Sequence, residues 1–170
     1  MKRPADLAAA VRKAFRFDTT VVVEQGVPAR EIECAVLGGG ADVRASAVGE
    51  IRPNAEFYSY EAKYLDPDGA KLMIPAELPA ARAREVRRLA VEAFRALGCY
   101  GLARVDFLLD SRSGKLWFNE ANTLPGFTSI SMYPRMWAAS GLPFPKLTDR
   151  LIRLALARHR AKSALRITRD

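Results

Sequence analysis

Four polar residues stand in segments that otherwise read as apolar strands. In GLARVDFLLD, residues 101–110, Arg104 and Asp106 interrupt the run two residues apart, and in KLWFNEAN, residues 115–122, Glu120 and Asn122 do the same. Side chains alternate across a strand, so Arg104 and Asp106 share one face while Ala103, Val105, Phe107 and Leu109 take the other. On the second strand the same rule groups Phe118, Glu120 and Asn122. The intervening SRSG is turn chemistry, and the pair reads as an antiparallel hairpin. A register that sets Asp106 opposite Glu120 also sets Arg104 opposite Asn122. Facing carboxylates repel, so a positive group is expected between them. Magnesium fits, because it takes oxygen ligands and is commonly held by one or two carboxylates plus phosphate oxygens. Arg104 is no metal ligand, but it is placed to hydrogen-bond a phosphoryl group or a developing oxyanion. The competing reading is a surface salt-bridge patch. Depletion of Asp and Glu from ordinary strands favours the metal.

The elements that must hold these residues follow from periodicity and punctuation. RPADLAAAVRKAF has Pro4 and Asp6 at its start and Leu7, Val11, Ala14 and Phe15 at helical spacing, so it is expected to be a short amphipathic helix. TTVVVEQG, REIECAVLGGG and DVRASAVGEI are β-branched or alternating and are expected to form an antiparallel meander, with Gly38-Gly39-Gly40 as a turn between two strands. From Pro79 to Leu97, Val86, Leu89, Ala90, Ala93, Phe94 and Leu97 recur at steps of three and four, and Gly98 follows as a stop, which predicts a helix. PKLTDRLIRLALARHR predicts a last helix. Strands and helices are segregated without βαβ repetition, so the fold class is α+β, an antiparallel sheet with flanking helices.

At 170 residues and 49% hydrophobic composition, the chain is long and apolar enough for a domain core. No run approaches the roughly 20 apolar residues of a membrane span, and MKRPADLAAAV lacks the apolar core of a secretory signal, so a cytoplasmic protein without a membrane partner is expected. Cys34 and Cys99 lie in apolar periodic segments and read as core thiols, and with His159 as the single histidine a conventional zinc site is excluded. Residues 146–170 account for +6 of the net +8 charge. No aromatic residue is interleaved there for base stacking, so a solvated basic helix is expected in preference to a nucleic-acid partner.

VVVEQGVPAREIECAVLG, FYSYEAKYL, GLARVDFLLD and KLWFNEANTLPGFTSISMYPRMW, in that order and over nearly the whole chain, resemble the C-terminal part of the D-alanine:D-alanine ligases, an ATP-grasp family of peptidoglycan synthesis. The resemblance implies an ATP-grasp C-terminal lobe in which ATP lies between two antiparallel sheets. A D-alanine carboxylate is phosphorylated to an acyl phosphate, which a second D-alanine amine then attacks. It further implies two magnesium ions, with manganese as the alternative metal, held by Asp106, Glu120 and Asn122. Arg104 would steady the tetrahedral intermediate, the Gly126 N–H would bind the same oxyanion, and Ser131 would bind the second D-alanine carboxylate. Glu24, Gln25 and Val27 match the adenine hinge, where a strand edge presents backbone groups to the base. Glu31 matches the ribose-binding carboxylate, Lys63 the lysine near the phosphates, and Tyr64 the tyrosine of a closing loop. The Lys63-Tyr64 pair favours D-alanine over D-lactate as the second substrate.

Against that family the sequence is expected to hold the end of the ATP-binding lobe and hinge in residues 1–27 and the catalytic lobe in residues 28–170. The family's N-terminal domain and glycine-rich phosphate loop are absent from these residues, and Gly38-Gly39-Gly40 does not replace the loop because it opens no helix. Three readings remain open at this stage. The first is a ligase whose remaining parts were lost by truncation or sit on another chain, with little or no activity alone; a homodimer, or a chain supplying the missing N-terminal half, is the partner expected. The second is a nucleotide- and metal-binding module that ligates nothing, and the third is a nucleic-acid binder, for which salt-sensitive binding would be diagnostic.

Overall fold

The stretch from Ile32 to Gly38, apolar except for Glu33, calls for burial on both faces and therefore a central position. In a computed structural model of the chain, which describes residues 3–53 and 70–166, this stretch lies in β1, Ala29–Gly39, at the middle of a five-stranded antiparallel sheet. The strand order is β3-β2-β1-β4-β5, with β2 at Asp42–Pro53, β3 at Ala70–Met73, β4 at Gly101–Asp110 and β5 at Leu116–Asn122. Gly38 pairs with Val43 and Gly39 with Asp42, so the glycine run is the expected turn between strands.

Alternation along the strands divides the interior into two layers. On one face Ile32, Cys34 and Val36 of β1 join Ala103, Val105, Phe107 and Leu109 of β4 under helix α2, Ala80–Ala96, whose Val86, Ala90 and Phe94 lie four residues apart on one stripe. Phe94 is fully buried, and its truncation to alanine removes packing of about 3–5 kcal/mol. Gly98 ends this helix with a φ of 65°, a left-handed conformation that glycine adopts without a Cβ penalty. On the other face Ala35 and Leu37 meet α3, Met132–Ala139, and α4, Phe144–Ser163. The Tyr133 hydroxyl donates to the Val36 carbonyl at 2.9 Å, which docks α3 on the central strand. Only Leu147 of α4 is fully buried, so most of this basic helix is solvated.

The amino-terminal helix, α1 at Leu7–Ala14 after a single 3-10 turn at Pro4–Asp6, forms where its spacing predicts but buries none of its residues. One expectation requires correction. TTVVVEQG forms no strand, with Val22 and Val23 exposed by 76% and 65%, because β-branched residues specify a strand only where another strand pairs with them. The structure adds a helix that the periodicity does not predict, α3 within SMYPRMWAA, in which Pro134 sits within the first turn, where a missing N–H costs no helical bond. Among the described residues no helix is long and apolar enough to cross a membrane.

Candidate active site

The β4–β5 register sets Arg104 opposite Asn122 and Asp106 opposite Glu120, the register under which all four polar residues share one face. β1 lies on the other side of β4 and sets Glu33 opposite Asp106. Residues opposed across antiparallel strands point to the same side, so Glu33, Asp106 and Glu120 make a row of carboxylates across three adjacent strands. A bulge follows Asp106, so that Phe107 pairs with Phe118 and Asn119 is the extra residue. It corrects one expectation: Phe118 does not share the face of Glu120 but turns to Phe107, with ring centroids 6.2 Å apart and nearly perpendicular.

Arg104 supplies the positive charge that the row demands. Its Nε and Nη2 donate to the two Asp106 carboxylate oxygens at 2.9 and 2.7 Å, a bidentate fork, and Nε lies 3.3 Å from Glu33 Oε1. Burial alone would lower the guanidinium pKa. The Asp106 hydrogen bonds and the fields of Glu33, Asp106 and Glu120 outweigh it and raise the value, so the charge is fixed at every pH at which the protein functions. Among the described residues Nη1 makes no hydrogen bond. Its two N–H groups remain for an incoming oxygen.

These side chains floor a cleft of about 300 Å³ lined by Glu31, Glu33, Arg104, Asp106, Asn119 and Glu120, among others. Among the described residues no three acidic, histidine or cysteine side chains converge as a finished metal cage. The donor set still fits magnesium, which needs only one or two carboxylates when a bound phosphate and water complete its shell. Strand backbones hold the donors, and Arg104 already balances part of their charge.

The other candidate residues are distributed around this cleft. Glu31 lies on its wall, two residues from Glu33 on the same side of β1. Asn122 ends β5, and its Oδ1 accepts the Leu124 N–H at 3.0 Å, turning the chain into the segment that carries Gly126 and Ser131. Ser131 Oγ accepts the Thr128 N–H at 3.1 Å and lies 2.8 Å from the Thr128 hydroxyl, at the start of α3. A Cβ on Gly126 would come within 3.0 Å of Ser131 Oγ, so glycine lets the two approach. Glu24, Gln25 and Val27 lie in coil before β1 and not on a strand edge, with Glu24 and Gln25 exposed, and none lines the cleft. Lys63 and Tyr64 lie outside the described residues. The residue that sequence reasoning missed is Glu33. Its signal was present, since Glu31 and Glu33 alternate within REIECAV.

An antiparallel sheet carrying a carboxylate-lined cleft on one face is the architecture of an ATP-grasp ligase lobe, and solved ligases of that kind superpose on the chain. The D-alanine–D-alanine ligase of Coxiella burnetii does so with a TM-score of 0.81 at 41% identity, over 96% of this chain and 42% of that one. A D-alanine–D-alanine ligase from Bacillus anthracis, complexed with ATP, gives a TM-score of 0.76 at 28% identity over 94% and 49%. The family described as D-ala D-ala ligase C-terminus matches residues 1–153, and the chain belongs to it. D-alanine–D-alanine ligase A of Bradyrhizobium diazoefficiens is 58% identical over 161 residues, covering 94% of this chain. The chain spans less than half of that relative, 43% of its length.

Proposed function

We propose that these residues form the C-terminal catalytic lobe of an ATP-dependent ligase that joins two D-alanines for peptidoglycan synthesis. The observation that carries the reading is the carboxylate row with Arg104 forked onto Asp106, in a chain belonging to the D-alanine ligase C-terminal family. Asp106, Glu120 and Asn122 would hold magnesium, two ions in the full site, with manganese able to substitute. The metal, when bound, neutralises charge on the transferring phosphoryl group.

The chain's own residues supply positioning and fixed charge. The γ-phosphoryl of ATP passes to a D-alanine carboxylate oxygen, releasing ADP. The amine of the second D-alanine then attacks the acyl carbon, and phosphate leaves as the C–N bond forms. Arg104 Nη1, free of partners among the described residues, can donate to the oxyanion of that tetrahedral intermediate while Nε and Nη2 remain fixed by Asp106. The Gly126 N–H would share the oxyanion. Ser131 would donate to the carboxylate of the second substrate, held in place by its contacts to Thr128. Glu31 suits the ribose hydroxyls, because an ionised carboxylate offers two acceptor oxygens. Glu24, Gln25 and Val27 would meet the adenine only on rearrangement of the coil that bears them, with Lys63 and Tyr64 contributing at the phosphates and the closing loop.

Calorimetric titration with ATP and magnesium tests the proposal, with and without the N-terminal half of a related ligase added in trans. Magnesium-dependent nucleotide binding that is lost in Glu120→Gln is expected, with ligase turnover only when the other half is present. Absence of magnesium-dependent binding in both arms, or full binding by Glu120→Gln, would remove the ligase reading. A solvated basic helix argues against nucleic acid as the partner, and binding that ignores salt would agree.

A further inference from the structure

A second hollow, larger than the cleft and sharing none of its lining residues, lies where the β1–β2 turn meets α2 and the end of α3. Its volume is about 650 Å³, within the range of small-molecule sites. Five arginines line it: Arg44 from β2, Arg84, Arg87 and Arg88 from α2, and Arg150 from α4. Among the described residues no acidic residue lines it.

The neighbouring acids only partly answer this charge. Asp42 takes both Arg44 at 2.9 Å and Arg150 at 2.8 Å, and Glu92 takes Arg88 at 2.6 Å. Arg87 donates to the Ala45 carbonyl, a neutral acceptor. Arg84 has no partner among the described residues, so two carboxylates face five guanidiniums. Like charges grouped on one helix face disfavour the helix unless an anion joins them. The inner wall is apolar, built from Leu37, Val91 and Trp137. The Trp137 indole N–H is buried without a hydrogen bond, near the Tyr133 hydroxyl but outside bonding geometry. Such a wall gives a ligand an apolar surface beside the charges.

We propose that this cavity is a second ligand site, separate from the ATP and magnesium cleft, for a nucleotide-sized molecule with clustered phosphates and an apolar part. Guanidinium forks match phosphate oxygens two at a time, and several arginines within one hollow read a polyphosphate better than a single phosphate. The arginines come from three elements, β2, α2 and α4, so occupancy would tie these elements together.

The two tryptophans make the test internal. Trp137 lines the cavity, whereas Trp117 lies on β5 with Lys115 Nζ 3.6 Å from its ring. The whole chain, labelled with ¹⁵N-tryptophan, is titrated with tripolyphosphate at constant ionic strength and without divalent metal, and both indole N–H resonances are followed. A saturable shift of Trp137 alone is expected, with affinity lowered about tenfold or more in Arg84→Ala/Arg88→Ala and unchanged in Glu120→Gln, since each lost fork removes charge-assisted bonds. Both replaced arginines are exposed, and alanine favours helix, so the variant is expected to fold; Arg84→Glu, with the same readout, gives a second check. Linear shifts without saturation, parallel movement of both tryptophans, unaltered affinity in the arginine variants, or loss of binding in Glu120→Gln would each overturn the proposal.

Discussion

Replacement of Arg104 by methionine keeps the stem and removes the fork, which isolates the charge. The Arg104 side chain is 18% exposed, those of Glu33 and Asp106 are 5% and 13% exposed, and three contacts of 2.7 to 3.3 Å join them. Breaking a buried ion pair from one side leaves the other charge without compensation and costs about 3–5 kcal/mol. The lower end applies here, because Asp106 keeps some contact with water, and about 3 kcal/mol is expected. With a urea dependence of about 1.5–2 kcal/mol per molar for a domain of this size, the unfolding midpoint should fall by about 1.5–2 M. A double-mutant cycle supplies the control. Asp106→Leu should cost about 1–2 kcal/mol, since Glu33 still pairs with Arg104, and the double variant should lose about 2 kcal/mol less than the two single losses together. Circular dichroism during urea unfolding at pH 7 measures all four proteins. A loss below about 1 kcal/mol for Arg104→Met, or strict additivity in the cycle, would refute the reasoning that the carboxylate row depends on this arginine.

On the opposite face, Glu50 is 1% exposed and is held by Arg30 at 2.7 Å and Arg52 at 3.0 Å. Burial alone would raise its pKa, but the hydrogen bonds from Arg30 and Arg52 outweigh that and leave it below the ordinary carboxylate value. A depressed folded-state pKa means stabilisation that is present above the unfolded value and lost as pH falls through the folded one. Glu50→Gln should therefore cost about 2 kcal/mol at pH 7, a reduced figure because both arginines stay a third or more exposed, and the difference should close between about pH 5 and pH 3. Denaturation of both proteins across that range checks it, and a gap independent of pH would count against the pairing. Burial pushes the Cys34 thiol up to about 12, whereas Cys99 is half-buried. An aromatic disulfide reagent at pH 8 should modify one thiol rapidly and the second only on unfolding, with the fast phase absent in Cys99→Ser. Two equal fast phases would contradict the buried position of Cys34.

Several features were legible in the residues because their cause is local. Alternation in GLARVDFLLD and NEAN separated the core face from the polar face, and the register that sets Asp106 opposite Glu120 and Arg104 opposite Asn122 is the one the hairpin adopts. The stripe of Val86, Ala90 and Phe94 with Gly98 behind it gave α2 to within a residue or two. TTVVVEQG misled because strand formation needs a neighbour, which no property of the segment supplies. Phe118 misled because a bulge shifts the alternation, and a single extra residue leaves no mark in a hydrophobic pattern.

The sequence by itself determined the chemistry at the site, since residue type and a spacing of two place oxygen donors and a guanidinium on one side of a hairpin. Only the tertiary structure decided which strand lies beside that hairpin. By setting β1 against β4 it brought Glu33 to Asp106 and gave Arg104 two carboxylates to hold, and by folding α2 and α4 around the β1–β2 turn it gathered five arginines from three elements. Local rules reach across a turn of a few residues. Contacts between segments separated by seventy residues or more, as Glu33 and Arg104 are, follow from how whole faces bury against one another.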